Sequence, residues 1–312
     1  MEHRDPVDPL RVLTGATGSG KKEVGLELAR NLGAEVIGLD SVKVYRGLVV
    51  GAASPTQSEV DGVRTHLVGV VDPRETFSLG RYIDEVRSTV RQIEARGKSV
   101  LFLGGTPLYL QALLRGLFRG PPADPRLRRR LVEEAERFGV EALHARLAAF
   151  DPDAAGRILK RDFKRITRAL EVYELTGRPI SELQRTETRR PLDREFRVVA
   201  LFCAPALLRR RQAERVDRMF AEGLVEEVRR LSEQGLLIGE PARAIGYREI
   251  LAHLAGELTL QAAREAMLRS TWRLTVAQRK WFRRFPELVG VERREDSTLE
   301  ELLEAVRLGF LR

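Results

Sequence analysis

With 312 residues and 43% hydrophobic content, the chain can bury a sizeable core and hold one large domain or two ordinary ones. Its net charge is +9, and although 47 of its 54 basic residues are arginine, an arginine bias exchanges Arg for Lys without creating a surplus, so the surplus points to a polyanionic partner. A single cysteine, Cys203, excludes an intrachain disulfide framework or cysteine zinc site; the charged Met1–Pro9 stretch has no signal-peptide core, and no apolar run nears the roughly 20 residues that span a bilayer, so a cytoplasmic protein without membrane contact is expected.

The first 118 residues alternate strand-like and helix-like segments. Leu10 to Leu13 is a short apolar strand, and Glu23 to Leu32 reads as a helix. Between them lies Gly15-Ala16-Thr17-Gly18-Ser19-Gly20-Lys21-Lys22, which meets G-x-x-x-x-G-K at Gly15, Gly20 and Lys21. Strand, glycine loop and helix together make a phosphate-binding loop, in which backbone N–H groups, the helix terminus and a lysine converge on phosphate oxygens. The next position normally carries the Ser or Thr whose hydroxyl holds magnesium; here it is Lys22. A glycine-rich turn without a ligand is the bland alternative.

Further strands are expected at Val36 to Leu39, His66 to Val71 and Val100 to Leu103, with helices over Tyr82 to Ala95 and Leu108 to Leu117. This alternation predicts an α/β fold with a P-loop NTPase-like parallel sheet and helices on both faces. Ligands in such sheets sit at the carboxyl ends of strands, where Gly15, Asp40 and Gly104 all fall. Asp40-Ser41 ends the second strand; its carboxylate suits magnesium binding or general base work, or simply caps the next helix. Thr106, after Gly104-Gly105, offers a hydroxyl to a ligand or serves as an N-cap before Pro107, and both roles are compatible.

The texture changes at Gly120-Pro121-Pro122. Residues 121–195 read as a helical, Arg-rich insertion, dividing the core into 1–120 and 196–312. The chain returns to the sheet at Phe196 to Cys203, continues as a long helix from Pro205 to about Gln234, and adds a last strand at Leu288 to Val291. Arg211 and Arg215 share a helix face, which suits diphosphate or a solvated face paired with Glu214. Three basic clusters follow: Arg126 with Arg128 to Arg130; Arg157 to Arg168; and Arg269 to Arg284, where Trp281 is interleaved. Each alone is more often a plain basic helix, but together with the net charge they favour RNA, with the aromatic suited to stacking on an unpaired base.

Taken in order, these motifs resemble the tRNA dimethylallyltransferase (tRNA isopentenyltransferase) family over nearly the whole chain. Besides the loop, the matching runs are Asp40-Ser41 with Val44-Tyr45-Arg46-Gly47-Leu48, Gly104-Gly105-Thr106 with Leu108-Tyr109-Leu110, and Ala123-Asp124-Pro125. They continue with Arg165-Ile166, Arg168 to Tyr173, Thr176 to Pro179, Gly223-Leu224 with Glu227-Val228, Arg243 to Glu249 and Trp281-Phe282-Arg283. The resemblance implies a P-loop-kinase-like core with a helical tRNA-binding insertion. The loop is of the nucleotide-binding, ATP-binding type, yet the resemblance seats dimethylallyl diphosphate in it. It implies transfer of the dimethylallyl group to the exocyclic amine of the adenosine beside the anticodon in tRNA, by a monomer.

The resemblance makes Asp40 the base, Thr106 its hydrogen-bonding partner, and Lys21 and Arg215 diphosphate contacts alongside Gly15, Ala16, Thr17, Gly18, Ser19, Gly20 and Lys22. It puts tRNA contacts at Asp40, Ser41, Val42, Lys43, Thr106, Arg128, Lys164, Arg165, Ile166, Thr167 and Arg168. Further contacts fall at Arg243, Ala244, Ile245, Gly246, Tyr247, Arg248, Gln278, Trp281 and Arg283. It also implies Mg2+, but an ammonium cannot ligate a metal, so Lys22 leaves the metal ligands unassigned. Other departures from the family pattern are Lys43, Ala52, Ser54, Arg64-Thr65, Arg161 and Val276-Ala277. They motivate one alternative, a catalytically impaired family member that still binds tRNA. Two more are a P-loop kinase of a small metabolite, which the same loop and strand-end Asp would serve, and a prenyltransferase of free adenine nucleotides, which shares the core chemistry; the basic insertion argues against both.

Overall fold

The computed structural model describes residues 8–56 and 59–312, so the reading of residues 1–7 lies outside the described part. Two compact units divide the chain: Met1–Leu114 with Leu192–Arg312, and Arg115–Pro191. The insertion therefore starts and ends a few residues earlier than its composition suggests.

The first unit opens with β1 (Leu10–Gly15), α1 (Lys21–Leu32), β2 (Ala34–Leu39), β3 (Thr65–His66), α2 (Leu79–Glu94), β4 (Ser99–Gly104) and α3 (Pro107–Arg115). The second unit is helical: α4 (Pro125–Phe138), α5 (Val140–Phe150), α6 (Pro152–Arg157), α7 (Phe163–Thr176) and α8 (Ile180–Glu187). The first unit then resumes with β5 (Phe196–Cys203), α9 (Pro205–Ala221), α10 (Leu224–Glu233), α11 (Gly239–Arg243) and α12 (Tyr247–Leu254). It closes with α13 (Leu260–Phe282), β6 (Leu288–Arg293) and α14 (Leu299–Gly309).

The strands form one parallel sheet in the order β3-β2-β4-β1-β5-β6. Parallel strands need crossovers and buried faces, which is why β2 is buried at every position. Leu13, Leu101 and Val199 meet Val24 of α1 and Val306 of α14 in one core. Each such fully buried aliphatic side chain contributes about 1.5–3 kcal/mol. The second unit has its own core, built from Leu131, Leu143, Leu147, Ile166 and Leu170.

Two expected elements differ. The strand expected over His66–Val71 stops at His66, because Leu67 takes a φ of +58° and Gly69 one of +63°. The backbone of residues 69–71 instead donates to the carbonyls of Lys43 and Val44, bracing the segment after Asp40. The single helix expected from Pro205 to Gln234 is two, broken at Gly223, whose φ of +90° lies in the left-handed region.

Three strand ends are knitted together. Thr14 donates its hydroxyl to the Gly104 carbonyl at 2.8 Å, and the Thr106 amide donates to the Leu39 carbonyl at 3.2 Å. The glycine loop, Asp40 and Thr106 are thereby fixed at one edge of the sheet.

Candidate active site

The glycine loop leaves β1 at Gly15 and enters α1 at Gly20, which caps the helix with a φ of +89°. Its shape is set by side chains from distant segments. Gln278 of α13 accepts from the Thr17 amide at 2.9 Å and donates to the Gly105 carbonyl at 2.7 Å. Gln212 of α9 donates to the Thr17 carbonyl at 2.9 Å and to the Thr275 hydroxyl at 2.7 Å. Arg211 donates to the Gly18 carbonyl at 2.9 Å. The solvated-face reading of Arg211 is thus overturned; Glu214 instead lies 3.6 Å from Arg210. Ala16 and Ser19 are buried, and the Ser19 hydroxyl has no hydrogen-bond partner among the described residues. The amides of Lys21 and Lys22 open α1, where no helical carbonyl is available to them.

Two chambers meet at this loop. The smaller, about 90 Å3, is lined by Lys21, Lys22, Lys43, Asp40 and Arg215. The larger, about 350 Å3, falls in the size range of small-molecule sites. Its lining includes Ser41, Val42, Tyr45, Thr106, Arg243, Ala244 and Ile245, with Val216, Met219 and Met267 supplying apolar surface. Asp40, Thr17, Gly105, Arg215 and Gln278 belong to both walls.

Asp40 carries out the turn-forming role and still faces both chambers. One carboxylate oxygen accepts from the amides of Val42 and Lys43 at 2.9 and 3.2 Å. The carbonyl of Thr106 accepts from the Leu110 amide at 3.2 Å with Pro107 opening α3, so Thr106 too combines a cap with a place in the cavity wall.

The electrostatics are lopsided. Burial, with Lys43 and Arg215 nearby, pulls Lys21 down to about 7, although Asp40 opposes the shift. Burial brings Lys43 down to about 8 despite Asp40, with Arg215 and Lys22 adding to the fall. Burial likewise lowers Arg215, again opposed by Asp40. Each residue keeps some surface toward the cleft while its charge sits within it. Crowded, desolvated cations that depress one another are a site waiting for negative charge.

Other expected contact residues divide sharply. Tyr247 is fully buried, and its hydroxyl donates to Glu227 at 2.7 Å. Glu227 also accepts from the amides of Val49, Val50 and Gly51 at 3.2, 2.8 and 3.0 Å, which holds the Gly51–Ala52 wall of the larger chamber. A Cβ at Gly51 would stand 2.7 Å from the Tyr247 ring, so only glycine fits there. The Gly246 amide donates to Glu249 at 2.8 Å, and Arg248 is exposed beside the same carboxylate. Arg283 is exposed, and Trp281 is half-buried beneath the Arg284 guanidinium, 5.8 Å from its ring centre.

In the second unit Ile166 is a core residue, and the Thr167 hydroxyl donates to the Phe163 carbonyl at 2.8 Å. Arg128 and Arg168 both grip the buried Glu171, at 2.8 and 2.6 Å, and Arg168 also donates to the Pro121 carbonyl at 2.8 Å. Lys164 and Arg165 are exposed. The sequence reading missed the braces Gln212 and Thr275 and the hub Glu227 as working residues. Only for Glu227 was there a signal, its place in the quoted Gly223-Leu224 run.

Fold and site together define a P-loop protein with a small cationic chamber next to a carboxylate and an adjoining, partly apolar chamber. The chain belongs to the IPP transferase family, whose profile matches residues 43–285. It is 45% identical over 290 residues to a tRNA dimethylallyltransferase of Geobacter metallireducens, covering 91% of this chain and 92% of that one. A tRNA dimethylallyltransferase of Methylococcus capsulatus is 43% identical over 289 residues, with the same two coverages. Among solved structures, the full-length tRNA isopentenylpyrophosphate transferase of Bacillus halodurans superposes with a TM-score of 0.68 at 31% identity, covering 98% of this chain and 97% of that one. A eukaryotic dimethylallyltransferase acting on tRNA gives a TM-score of 0.76 at 27% identity, covering 92% and 74%.

Magnesium, which a loop of this type implies, does not suit the donor set here. The ion asks for hard oxygen ligands. Lys22 offers only donors, Asp40 has one oxygen committed to two amides, and three further cations crowd the chamber. Among the described residues no group of three His, Cys, Asp or Glu side chains is arranged to hold a metal. No helix among them is long and apolar enough to cross a membrane.

Proposed function

We infer that this chain transfers the dimethylallyl group of dimethylallyl diphosphate to the exocyclic amine of the adenosine next to the anticodon in tRNA. The observation that carries the reading is the shared wall. Asp40 and Arg215 stand between a small cationic chamber sized for a diphosphate and a larger, partly apolar chamber sized for a base.

The diphosphate occupies the small chamber on Lys21, Lys43, Arg215 and the amides of the loop. As the allylic C–O bond breaks, negative charge grows on the leaving oxygens, and these fixed cations and N–H groups stabilise it without reorganising. The attacking amine is a poor nucleophile, and the free oxygen of Asp40 takes its proton, with Thr106 as hydrogen-bonding partner. The base reaches this depth only after leaving its stack, at a cost of a few kcal/mol that contacts elsewhere on the RNA offset.

The chain works as a cytoplasmic monomer in this reading. Residues 115–191 act as a tRNA-binding insertion, through Lys164 and Arg165 rather than through Arg128 and Arg168, whose guanidinium groups are taken by Glu171. Arg243 and Ile245, in the wall of the larger chamber, meet the flipped nucleotide. Incubation of unmodified tRNA with dimethylallyl diphosphate, followed by nucleoside mass spectrometry, tests the reading. Dimethylallyl-adenosine is expected; tight tRNA binding without it would leave the impaired-member alternative standing.

A further inference from the structure

Just over a third of the Lys22 side chain is exposed. It lines the small chamber and pairs with Glu59 at 2.5 Å, while Glu59 is itself held by the Thr56 amide at 2.8 Å. Lys22 is also close enough to Lys43 to lower its basicity. The position directly after the loop lysine, where a hydroxyl would recruit a divalent cation, is therefore filled by a permanent cation with a carboxylate at rest beside it.

We propose that this chain seats its diphosphate without a divalent metal, with Lys22 supplying the charge that magnesium would otherwise bring. The proposal rests on the diphosphate reading of the small chamber. Charge matching supports it. Lys21, Lys22, Lys43 and Arg215 outnumber Asp40 and Glu59, so the resting site carries a net positive excess that a diphosphate would neutralise. A divalent cation added to four basic side chains would be repelled, and it would find one free carboxylate oxygen and no hydroxyl at position 22. When the ligand enters, Lys22 exchanges or shares Glu59 for a phosphate oxygen, and no bond is made or broken in the step.

Calorimetric titration of the full chain with inorganic pyrophosphate, once in EDTA and once in excess Mg2+, decides the matter. The wild-type dissociation constants should agree within about threefold. Lys22→Thr should weaken binding in EDTA by tenfold or more and recover it on adding Mg2+. Lys22→Arg should bind in EDTA like the wild type, and melting curves establish that both variants are folded. Wild-type binding that falls tenfold or more in EDTA overturns the proposal, as does a Lys22→Thr variant indifferent to EDTA. Absence of pyrophosphate binding in both media overturns the diphosphate seat itself, a failure distinct from metal dependence.

Discussion

Clustered basic side chains occur in both units, but they keep different company. In the second unit Arg128 and Arg168 close on Glu171, which is fully buried and also accepts from the Asp124 amide at 3.0 Å. Burial pushes that carboxyl up, and the hydrogen bonds from Arg128 and Arg168 more than reverse the effect. In the first unit Lys21, Lys43 and Arg215 surround one carboxylate, Asp40, and burial drives all three toward their neutral forms. A balanced cluster holds a fold together; an unbalanced one reserves a place for a ligand.

Removing the acid of the balanced cluster should have the largest effect. Glu171→Gln leaves two partly exposed guanidinium groups without their carboxylate and should destabilise the second unit by about 1–3 kcal/mol, read as a lowered denaturant midpoint. Lys21→Met in the unbalanced cluster should do the opposite to the free protein, leaving stability equal or raising it by about 1 kcal/mol, while pyrophosphate affinity falls tenfold or more. Equal losses of stability in both variants would erase the distinction.

Exposed cations form a third class. Lys164→Ala with Arg165→Ala should leave stability within about 0.5 kcal/mol. The pair should also reduce the slope of log affinity for tRNA against log salt by about 1–2. An unchanged slope removes the second unit from the RNA-binding account.

The comparison also shows in the pH dependence. Lys21 and Lys43 titrate near 7 and 8 in the folded chain and at 10.5 when unperturbed. Between those values the unfolded chain binds more protons, so these two groups make the free protein more stable as pH rises from about 7 to 10. Saturating pyrophosphate raises both folded values and flattens that rise. Melting temperatures against pH, compared with a Lys21→Met, Lys43→Met double variant, measure the difference.

What the sequence disclosed was local. The loop, the strand over Phe196–Cys203 and the helix after Lys21 are written in neighbouring residues: glycines where φ turns positive, apolar runs where both faces are buried. The strand expected beyond His66 does not form: an apolar run looks the same whether the backbone stays extended or, as at Leu67, turns left-handed. The break at Gly223 stands in the sequence as a glycine before an apolar residue, but helical periodicity on both sides hid it.

The site's braces were out of reach for another reason. Gln278 reaches the loop across 261 positions and Glu227 reaches Val49 across 178, separations that no spacing rule covers. Arg168 and Glu171 lie three residues apart, yet nothing in their spacing reveals that Glu171 is buried and claims the arginine. Counting cations points to a polyanionic ligand; the positions of the carboxylates separate the cations paired within the fold from those left facing the chambers.

The most direct test of the account is Asp40→Asn. An asparagine oxygen can still accept from the amides of Val42 and Lys43, so the turn and the diphosphate seat should survive. Single-turnover transfer of dimethylallyl to tRNA should fall about 10²–10⁴-fold with pyrophosphate and tRNA affinities within threefold of wild type. Transfer at an undiminished rate would contradict the placement of the reacting amine at this carboxylate.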